Sequence, residues 1–163
     1  MYHINICRLG GRYGGIKMEI KIKKLRDDAR IPQRGSAEAA GADLYACFDG
    51  ESIVIEPGST VMVPTGIASE IPSGYAGLIM ARSGLSVKRD LAPANKVGLV
   101  DSDYRGEIMV ALHNHGKTAQ TVEKYERIAQ YMIVPYVKAD YVEADELSDT
   151  VRGEGGFGST GTK

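Results

Sequence analysis

The first regular pattern in the chain is an alternation of apolar and charged residues that begins at Met18. Met18, Ile20 and Ile22 alternate with charged neighbours, and this period of two is typical of a β-strand with one buried face. Further short apolar runs follow, and most are bounded by glycine, proline or other turn-forming residues. These runs predict strands at residues 53–55, 60–63, 67–71, 75–80, 96–100, 107–112, 121–122 and 128–134.

Two local signals add to this pattern. Residues 83–89 predict one short helix, and Ser83 at its start is a residue type that can cap a helix N-terminus. Pro57 and Gly58 fit the centre of a type II turn, because proline presets φ and glycine accepts a positive φ. Many short strands at a spacing of about 8–12 residues favour an all-β sandwich, barrel or jelly roll.

The chain divides into three segments. Residues 1–17 lack the long apolar region of a signal peptide, so they are either an N-terminal extension or precede a true start at Met18. Residues 18–151 suit one β domain. Residues 152–163 are rich in glycine and nearly free of aliphatic side chains, and we expect them to form a mobile C-terminal arm.

Composition narrows the class of protein. Hydrophobic residues make up 43% and charged residues 25%, so a core can form without disulfides or a structural metal. A formal net charge of −1 gives no basic footprint for nucleic acid. Cys7 and Cys47 form no CxxC pair, which favours two free thiols in a reducing, cytoplasmic compartment over one disulfide. Without an apolar run near about 18 residues, no membrane span is expected.

Three places combine features of a functional site with a simpler structural explanation. Asp43 lies at the start of an apolar strand, where an acid is often a turn residue or the partner of a basic side chain. Arg82 and Ser83 open the predicted helix, where backbone amides and an arginine favour anions, although a capped helix with a surface arginine has the same pattern. Gln130 is the polar exception in an apolar strand, which a hydrogen-bonded core glutamine also explains.

The stretch of residues 95–110 is the most informative. Gly98 lies within a predicted strand, where glycine often marks close approach by another group. A turn explains residues 103–106, but it does not explain Asp101 directly at the end of an apolar strand. A carboxylate in that position could act as a general base on a water molecule.

The tail carries side chains that a simple linker does not need. Residues 152–161 contain five glycines together with Arg152, Phe157 and two hydroxyl residues. A mobile tail explains the glycines alone, whereas freed backbone amides, hydroxyls and an arginine could hold a phosphate chain, and an aromatic ring could stack on a base. The P-loop pattern GxxxxGK[ST] is absent.

Taken in order, these segments resemble the trimeric dUTP diphosphatase (dUTPase) family over residues 40–161. The resemblance rests on AGADLYA (40–46), ARSGLSVK (81–88), NKVGLVDSDYRGEIMV (95–110), ERIAQYMI (126–133) and RGEGGFGSTG (152–161). It implies an all-β, jelly-roll-like barrel with one short helix and a flexible C-terminal arm, assembled as a homotrimer with shared active sites. The implied reaction is hydrolysis of dUTP to dUMP and pyrophosphate by attack of water on the α-phosphorus.

The resemblance also implies roles for individual residues. Asn95 would read the uracil edge with its amide, and backbone groups of the neighbouring strands would complete the hydrogen bonds. Asp101 would hold the 3′-OH side of the sugar and deprotonate the attacking water, and Tyr104 would pack under the deoxyribose and exclude a 2′-OH. The backbone groups are those of Gly98, Leu99, Val100 and Met109.

The implied phosphate contacts come from other segments. They involve the start of the helix, the polar residue of the last strand and the C-terminal arm, which would close over a neighbour's pocket. The residues at the helix and the strand are Arg82, Ser83, Gly84 and Gln130. The residues of the arm are Arg152, Phe157, Gly158, Ser159 and Thr160.

Mg²⁺ is the implied cofactor, held by triphosphate oxygens and waters rather than by direct protein ligands. Asp43 would act on the metal through water or hold an arginine in place. One alternative function is dCTP deaminase of the same fold, whose members carry "RSS" followed by arginine where this chain has "RSGL". A non-catalytic nucleotide-binding module is the other. The expected partners are dUTP and two further copies of the chain, with no nucleic acid and no membrane.

Overall fold

The computed structural model describes residues 18–156, and their regular structure is almost entirely β. This part of the chain forms twelve strands and one helix, α1 (Ser83–Arg89). The expected all-β class with one short helix is therefore confirmed. The strands are β1 (Lys21–Lys24), β2 (Gln33–Arg34), β3 (Ala42–Tyr45), β4 (Ser52–Ile55), β5 (Thr60–Pro64), β6 (Ile67–Glu70), β7 (Tyr75–Met80), β8 (Leu91–Pro93), β9 (Val97–Val100), β10 (Met109–Asn114), β11 (Gln120–Glu123) and β12 (Arg127–Pro135).

The largest sheet brings together segments that are distant in sequence. Its five strands pair antiparallel in the order β2-β3-β12-β7-β9. Gln130 of the central strand lies between Asp43 on β3 and Met80 on β7. On the other side of β7, Ile79 pairs with Gly98 on the edge strand β9. A second sheet has the order β5-β10-β8, and the pairs β1-β6 and β4-β11 complete the strand pairing.

One hydrophobic core joins these sheets. Leu44, Ile55, Ile67 and Leu112 come from four different sheets and have no exposed surface. Leu85 adds the buried face of α1. Each fully buried leucine or isoleucine contributes about 1.5–3 kcal/mol, so the four sheets are stabilised as one unit.

The predicted turn at Pro57 and Gly58 is present. The Ser59 amide donates to the Glu56 carbonyl over 3.0 Å, and Gly58 has a φ of 71°. A positive φ at the third residue defines the type II turn, which explains why glycine stands there.

The predicted serine cap of α1 is wrong. The helix has Arg82 at its N-cap with no side-chain cap hydrogen bond, and Ser83 is already the first helical residue. The Arg82 carbonyl accepts the amides of Leu85 and Ser86 at 3.1 and 3.0 Å. The helix therefore begins one residue earlier than a Ser83 cap requires, at an arginine that an ion pair with Asp43 holds in place.

Three strands begin later than predicted: β1 starts at Lys21 rather than at Met18, and the other two, β9 and β10, lie beside the candidate site. Strand β9 starts at Val97 because Lys96 has a φ of 64°, outside the extended region. Strand β10 starts at Met109 rather than at residue 107. The Glu107 carbonyl instead accepts a hydrogen bond from the Tyr104 hydroxyl, at 3.0 Å.

Candidate active site

A surface cavity of about 330 Å³ lies where β9 meets the segment that leads into β10. Larger cavities of about 450 and 520 Å³ lie elsewhere, and none of the implied site residues lines them. The chemistry of the lining, rather than volume, therefore selects the smaller cavity. Seven implied residues line it: Asn95, Gly98, Leu99, Val100, Asp101, Tyr104 and Met109.

A tight turn between β8 and β9 presents Asn95 to this cavity. The Lys96 amide donates to the Pro93 carbonyl at 3.0 Å, and the Val97 amide donates to the Asn95 carbonyl at 2.7 Å. Lys96 has a left-handed backbone, which costs a non-glycine residue about 1–3 kcal/mol and is common at functional sites. Backbone hydrogen bonds thus fix Asn95 at the rim while its side chain stays exposed.

Gly98 allows other groups to come close to β9. A Cβ atom at this position would lie 3.2 Å from the Ile79 Cβ and 3.3 Å from the Asn95 Nδ2. The close approach expected from the sequence is therefore present. It leaves the backbone of residues 98–100 as one wall of the cavity.

Asp101 follows β9 directly and is exposed at the cavity. The Tyr104 amide donates to the Asp101 carbonyl at 3.2 Å, which closes a turn between them. Gly106 makes room for the aromatic ring, because a Cβ there would overlap the Tyr104 hydroxyl oxygen. The turn therefore holds a carboxylate and an aromatic ring against the same cavity.

A second group of implied residues lies on β3, β12 and α1 and does not line the cavity. Asp43 is 5% exposed, and it accepts Arg82 Nε at 2.8 Å and Arg127 Nη1 at 3.2 Å. Arg82 Nη1 also donates to the Arg127 carbonyl at 3.2 Å. The group is completed by half-buried Gln130 and exposed Ser83 and Gly84.

Of the two alternatives for Asp43, these contacts match the one in which it holds an arginine in place rather than acting on a metal through water. Both of its carboxylate oxygens accept hydrogen bonds from guanidinium groups, one from each arginine. A buried carboxylate needs such partners, because an unpaired buried charge is costly. Asp43 thus holds Arg82 and Arg127 on the same side of the large sheet.

Replacing Asp43 with asparagine should destabilise the fold. The amide keeps the shape but loses the charge that two arginines share, and hydrogen bonds to charged groups contribute about 1.5–3 kcal/mol. We expect a loss of this size in the free energy of unfolding, measured by urea titration. Asp49→Asn is the matched control: it removes an exposed partner of Arg26 and should have little effect. Equal losses in both variants would contradict the expectation that the buried Asp43, with its two arginines, stabilises the fold more than the exposed Asp49.

The described part of the arm lies on the surface. Arg152 is exposed, and its Nε donates to the Gly155 carbonyl at 2.7 Å, while the Gly153 amide donates to the Thr150 carbonyl at 3.1 Å. Arg152 does not line the cavity. The remaining residues implied for the arm, Phe157, Gly158, Ser159 and Thr160, lie outside the described residues.

Four residues of the cavity lining were not anticipated from the sequence. Three of them, Met62, Ile79 and Ile108, come from β5, β7 and the approach to β10. Their sequence signal is only an apolar residue in a predicted strand, which does not distinguish a cavity wall from the core. The fourth is Glu107, for which the sequence offered no signal.

The mouth of the cavity is unusually apolar. Leu99 is 66% exposed, Met62 52%, Tyr104 46% and Met109 36%. Exposed apolar groups that cluster in this way mark a surface suited to a ligand or another chain.

The described residues contain neither a cluster of metal-ligating side chains nor a membrane-spanning helix. Between residues 18 and 156, no three His, Cys, Asp or Glu side chains lie together as metal ligands would. No helix in this range combines the length and the apolar character needed to cross a membrane.

Similarity to known proteins extends over most of the chain. A family model described as dUTPase matches residues 27–161. The chain is 50% identical over 144 residues to the deoxyuridine 5'-triphosphate nucleotidohydrolase of Nautilia profundicola. The aligned residues are 88% of this chain and 99% of that protein. The protein of the same name from a Hydrogenobaculum species is 49% identical over 146 residues, covering 90% and 100%.

The similarity extends to three dimensions. The dUTPase of Staphylococcus bacteriophage 80alpha, solved with dUPNHPP, matches with a TM-score of 0.80 at 30% sequence identity, covering 89% of this chain and 99% of that one. dUTPases have a jelly-roll-like β fold, so this part of the expected architecture is confirmed as well. The family model, the sequence identity and the structural match agree that the chain belongs to the dUTPase family.

Proposed function

We propose that this chain hydrolyses dUTP to dUMP and pyrophosphate. The observation that carries the proposal is the arrangement of one cavity. Asn95, Asp101 and Tyr104 line it together, as a site that reads a base, activates a water and packs against a sugar requires. The similarity to two deoxyuridine 5'-triphosphate nucleotidohydrolases supports the same reaction.

Uracil would be recognised by an amide side chain and by strand backbone. Asn95 would contact one part of the base edge, and backbone groups of β9 and of Met109 would supply the others. Cytosine exchanges a donor for an acceptor on that edge, so it would leave a buried polar group unpaired. The β9 residues concerned are Gly98, Leu99 and Val100.

Asp101 would prepare the attacking water. Its exposed carboxylate would accept a proton from water directed at the α-phosphorus, and it would also contact the 3′-OH side of the sugar. Tyr104 would pack under the deoxyribose ring and leave no space for a 2′-OH. Most of the rate gain would come from positioning and charge stabilisation, because phosphoryl transfer needs little covalent help from the protein.

The phosphates would be bound by the second group of residues, supplied by a neighbouring chain of a homotrimer. Arg82, Ser83, Gly84 and Gln130 do not line the cavity of their own chain. The apolar mouth around Leu99 suits contact with another copy. A site shared between chains would account for both observations.

The C-terminal arm would close over the bound nucleotide. Its glycines would allow backbone amides to approach the phosphates, with Arg152 adding charge and Phe157 stacking on the base. The arm residues that take part in this proposal are Arg152, Phe157, Gly158, Ser159 and Thr160.

Mg²⁺ is the proposed cofactor. A magnesium ion that keeps several waters and binds mainly to triphosphate oxygens needs no dedicated set of protein ligands. The described carboxylates fit an ion held in this way: that of Asp101 is exposed beside the cavity, whereas both oxygens of Asp43 are already bound by arginines. We therefore assign Asp43 to the arginines rather than to the metal. When bound, the ion would neutralise negative charge on the triphosphate.

A substrate panel tests the proposal. With Mg²⁺ present, kcat/KM for dUTP should exceed that for UTP, dCTP and dTTP by at least about 10²-fold, because each analogue adds a clash or leaves a polar group unpaired. Ammonia release from dCTP would instead support a deaminase, and binding of dUTP without turnover would support a non-catalytic module. Comparable kcat/KM for UTP and dUTP would contradict the role of Tyr104.

A cytoplasmic location is part of the same proposal. Cys47 is a buried, free thiol in the structure, as a reducing compartment allows. Cys7 lies outside the described residues, so the expectation of two free thiols stays a prediction.

A further inference from the structure

Glu107 is the second acid in the cavity lining, and its two ends make different contacts. Its carboxylate accepts the backbone amide of Gly66 over 2.7 Å, although the two residues are 41 positions apart in sequence. Its backbone carbonyl accepts the Tyr104 hydroxyl at 3.0 Å. Glu107 therefore connects the ring at the cavity to the turn between β5 and β6.

Gly66 is a rigid anchor for this connection. It has a φ of 68°, a conformation that side-chain-bearing residues seldom adopt. A Cβ here would lie 2.9 Å from the Ala29 Cβ and 3.0 Å from the Cys47 Sγ, so the backbone is tightly packed. Its carbonyl accepts the Leu25 amide at 2.8 Å. A charge-assisted bond from such a fixed amide should restrict the Glu107 side chain strongly.

The start of β10 is held independently of the Glu107 side chain. The Ile108 amide donates to the Ile67 carbonyl at 2.8 Å, and the buried Thr65 hydroxyl donates to the Ile108 carbonyl. Loss of the Glu107 carboxylate would therefore leave the strand pairing in place. The part loosened would be the turn of residues 101–106, which carries Asp101 and Tyr104.

We propose that Glu107 is a positioning residue that sets discrimination between deoxyribose and ribose. By accepting the Gly66 amide, its carboxylate adds a second restraint to the peptide unit whose Ile108 amide is bound to Ile67. It thereby helps to fix the Glu107 carbonyl that binds the Tyr104 hydroxyl, and with it the ring that packs under the sugar. The inference rests on the proposed function, which assigns Tyr104 to the sugar. Glu107 acts through Tyr104 and needs no contact with the substrate.

Three substitutions separate the hydrogen bond from the charge. Glu107→Gln keeps an oxygen acceptor at the same reach, Glu107→Asp keeps the charge but is one methylene too short, and Glu107→Ala removes both. We expect the Ala and Asp variants to lower kcat/KM for dUTP by about 10- to 100-fold, since small misplacements carry losses of this order. The ratio of kcat/KM for dUTP over UTP should fall as well, and Glu107→Gln should restore both quantities.

Thr65→Val is the control for a purely structural effect. It removes a hydrogen bond at the same strand start but leaves Glu107 and Gly66 joined, so it should lower Tm without changing the dUTP-to-UTP ratio. Wild-type selectivity in both the Ala and Asp variants would overturn the inference, and so would a Gln variant as impaired as Ala. Failure of the wild-type chain to hydrolyse dUTP would instead refute the proposed function itself.

Discussion

Replacing Asp101 with asparagine is expected to lower kcat by a factor of about 10²–10⁴. The substitution keeps the shape of a side chain that lies exposed at the cavity, directly after β9. It removes the only group proposed to accept the proton of the attacking water. Binding of a non-hydrolysable dUTP analogue should be largely retained, because asparagine can still hydrogen-bond to the sugar. Steady-state kinetics and calorimetric titration measure the two quantities separately.

Asp103→Asn is the matched control for this change. Asp103 is also exposed and lies two residues further along the same turn, but it does not line the cavity. It should keep turnover close to that of the wild type. Normal turnover in the Asp101 variant, with a large loss in the Asp103 variant, would move the base to Asp103.

Removing residues 152–163 should abolish most turnover while leaving the fold and the proposed trimer intact. Residues 152–156, the part of this segment that the structure describes, are exposed or half-buried, so truncation removes no core side chain among them. Ordering a glycine-rich segment costs about 1–2 kcal/mol per residue, and the bound nucleotide would have to offset this cost through Arg152 and Phe157. Kinetics, thermal melting and size-exclusion chromatography of the truncated chain measure the three properties.

Mixed trimers refine the same test. If each site combines an Asp101 cavity with an arm from another chain, then Asp101→Asn chains and truncated chains should complement each other when refolded together. Some sites would then contain an intact carboxylate and an intact arm. A mixture no more active than either variant alone would argue against sites shared in this way, and a truncated chain with normal kcat would show that the arm has no catalytic role.

Local sequence signals predicted a large part of the fold. Helix α1 lies where its pattern indicated, and the turn at Pro57 and Gly58 has the expected geometry. Both signals depend on residues close together in sequence, whose backbone preferences are strong. The two shortest strands, β2 and β8, escaped prediction because two or three residues show no measurable period.

The cavity was predictable for the same reason. Asn95, Gly98, Asp101 and Tyr104 belong to one continuous segment, formed by the turn before β9, by β9 itself and by the turn after it, so their order in sequence already places them together. Lys96 marks the limit of this reasoning, because its positive φ arises from the tight turn and not from any preference of lysine.

Contacts between distant segments could not be derived from the pattern. The position of Asp43 between two arginines depends on the pairing of β3 with β12, and the bond from Gly66 to Glu107 depends on how the turn after β5 meets the approach to β10. Such contacts follow from tertiary packing, which apolar periodicity does not encode. Residues 1–17 and 157–163 lie outside the described part of the chain, so the expectations for them stay predictions.

Hydrolysis in ¹⁸O-labelled water tests the central claim most directly. The purified chain would be incubated with dUTP and Mg²⁺, and the products analysed by mass spectrometry. Attack of water on the α-phosphorus predicts one labelled oxygen in dUMP, an equal amount of unlabelled pyrophosphate and no ammonia. Label in pyrophosphate or in inorganic phosphate would contradict the proposed reaction, as would an intact dUTP pool under conditions in which the nucleotide binds.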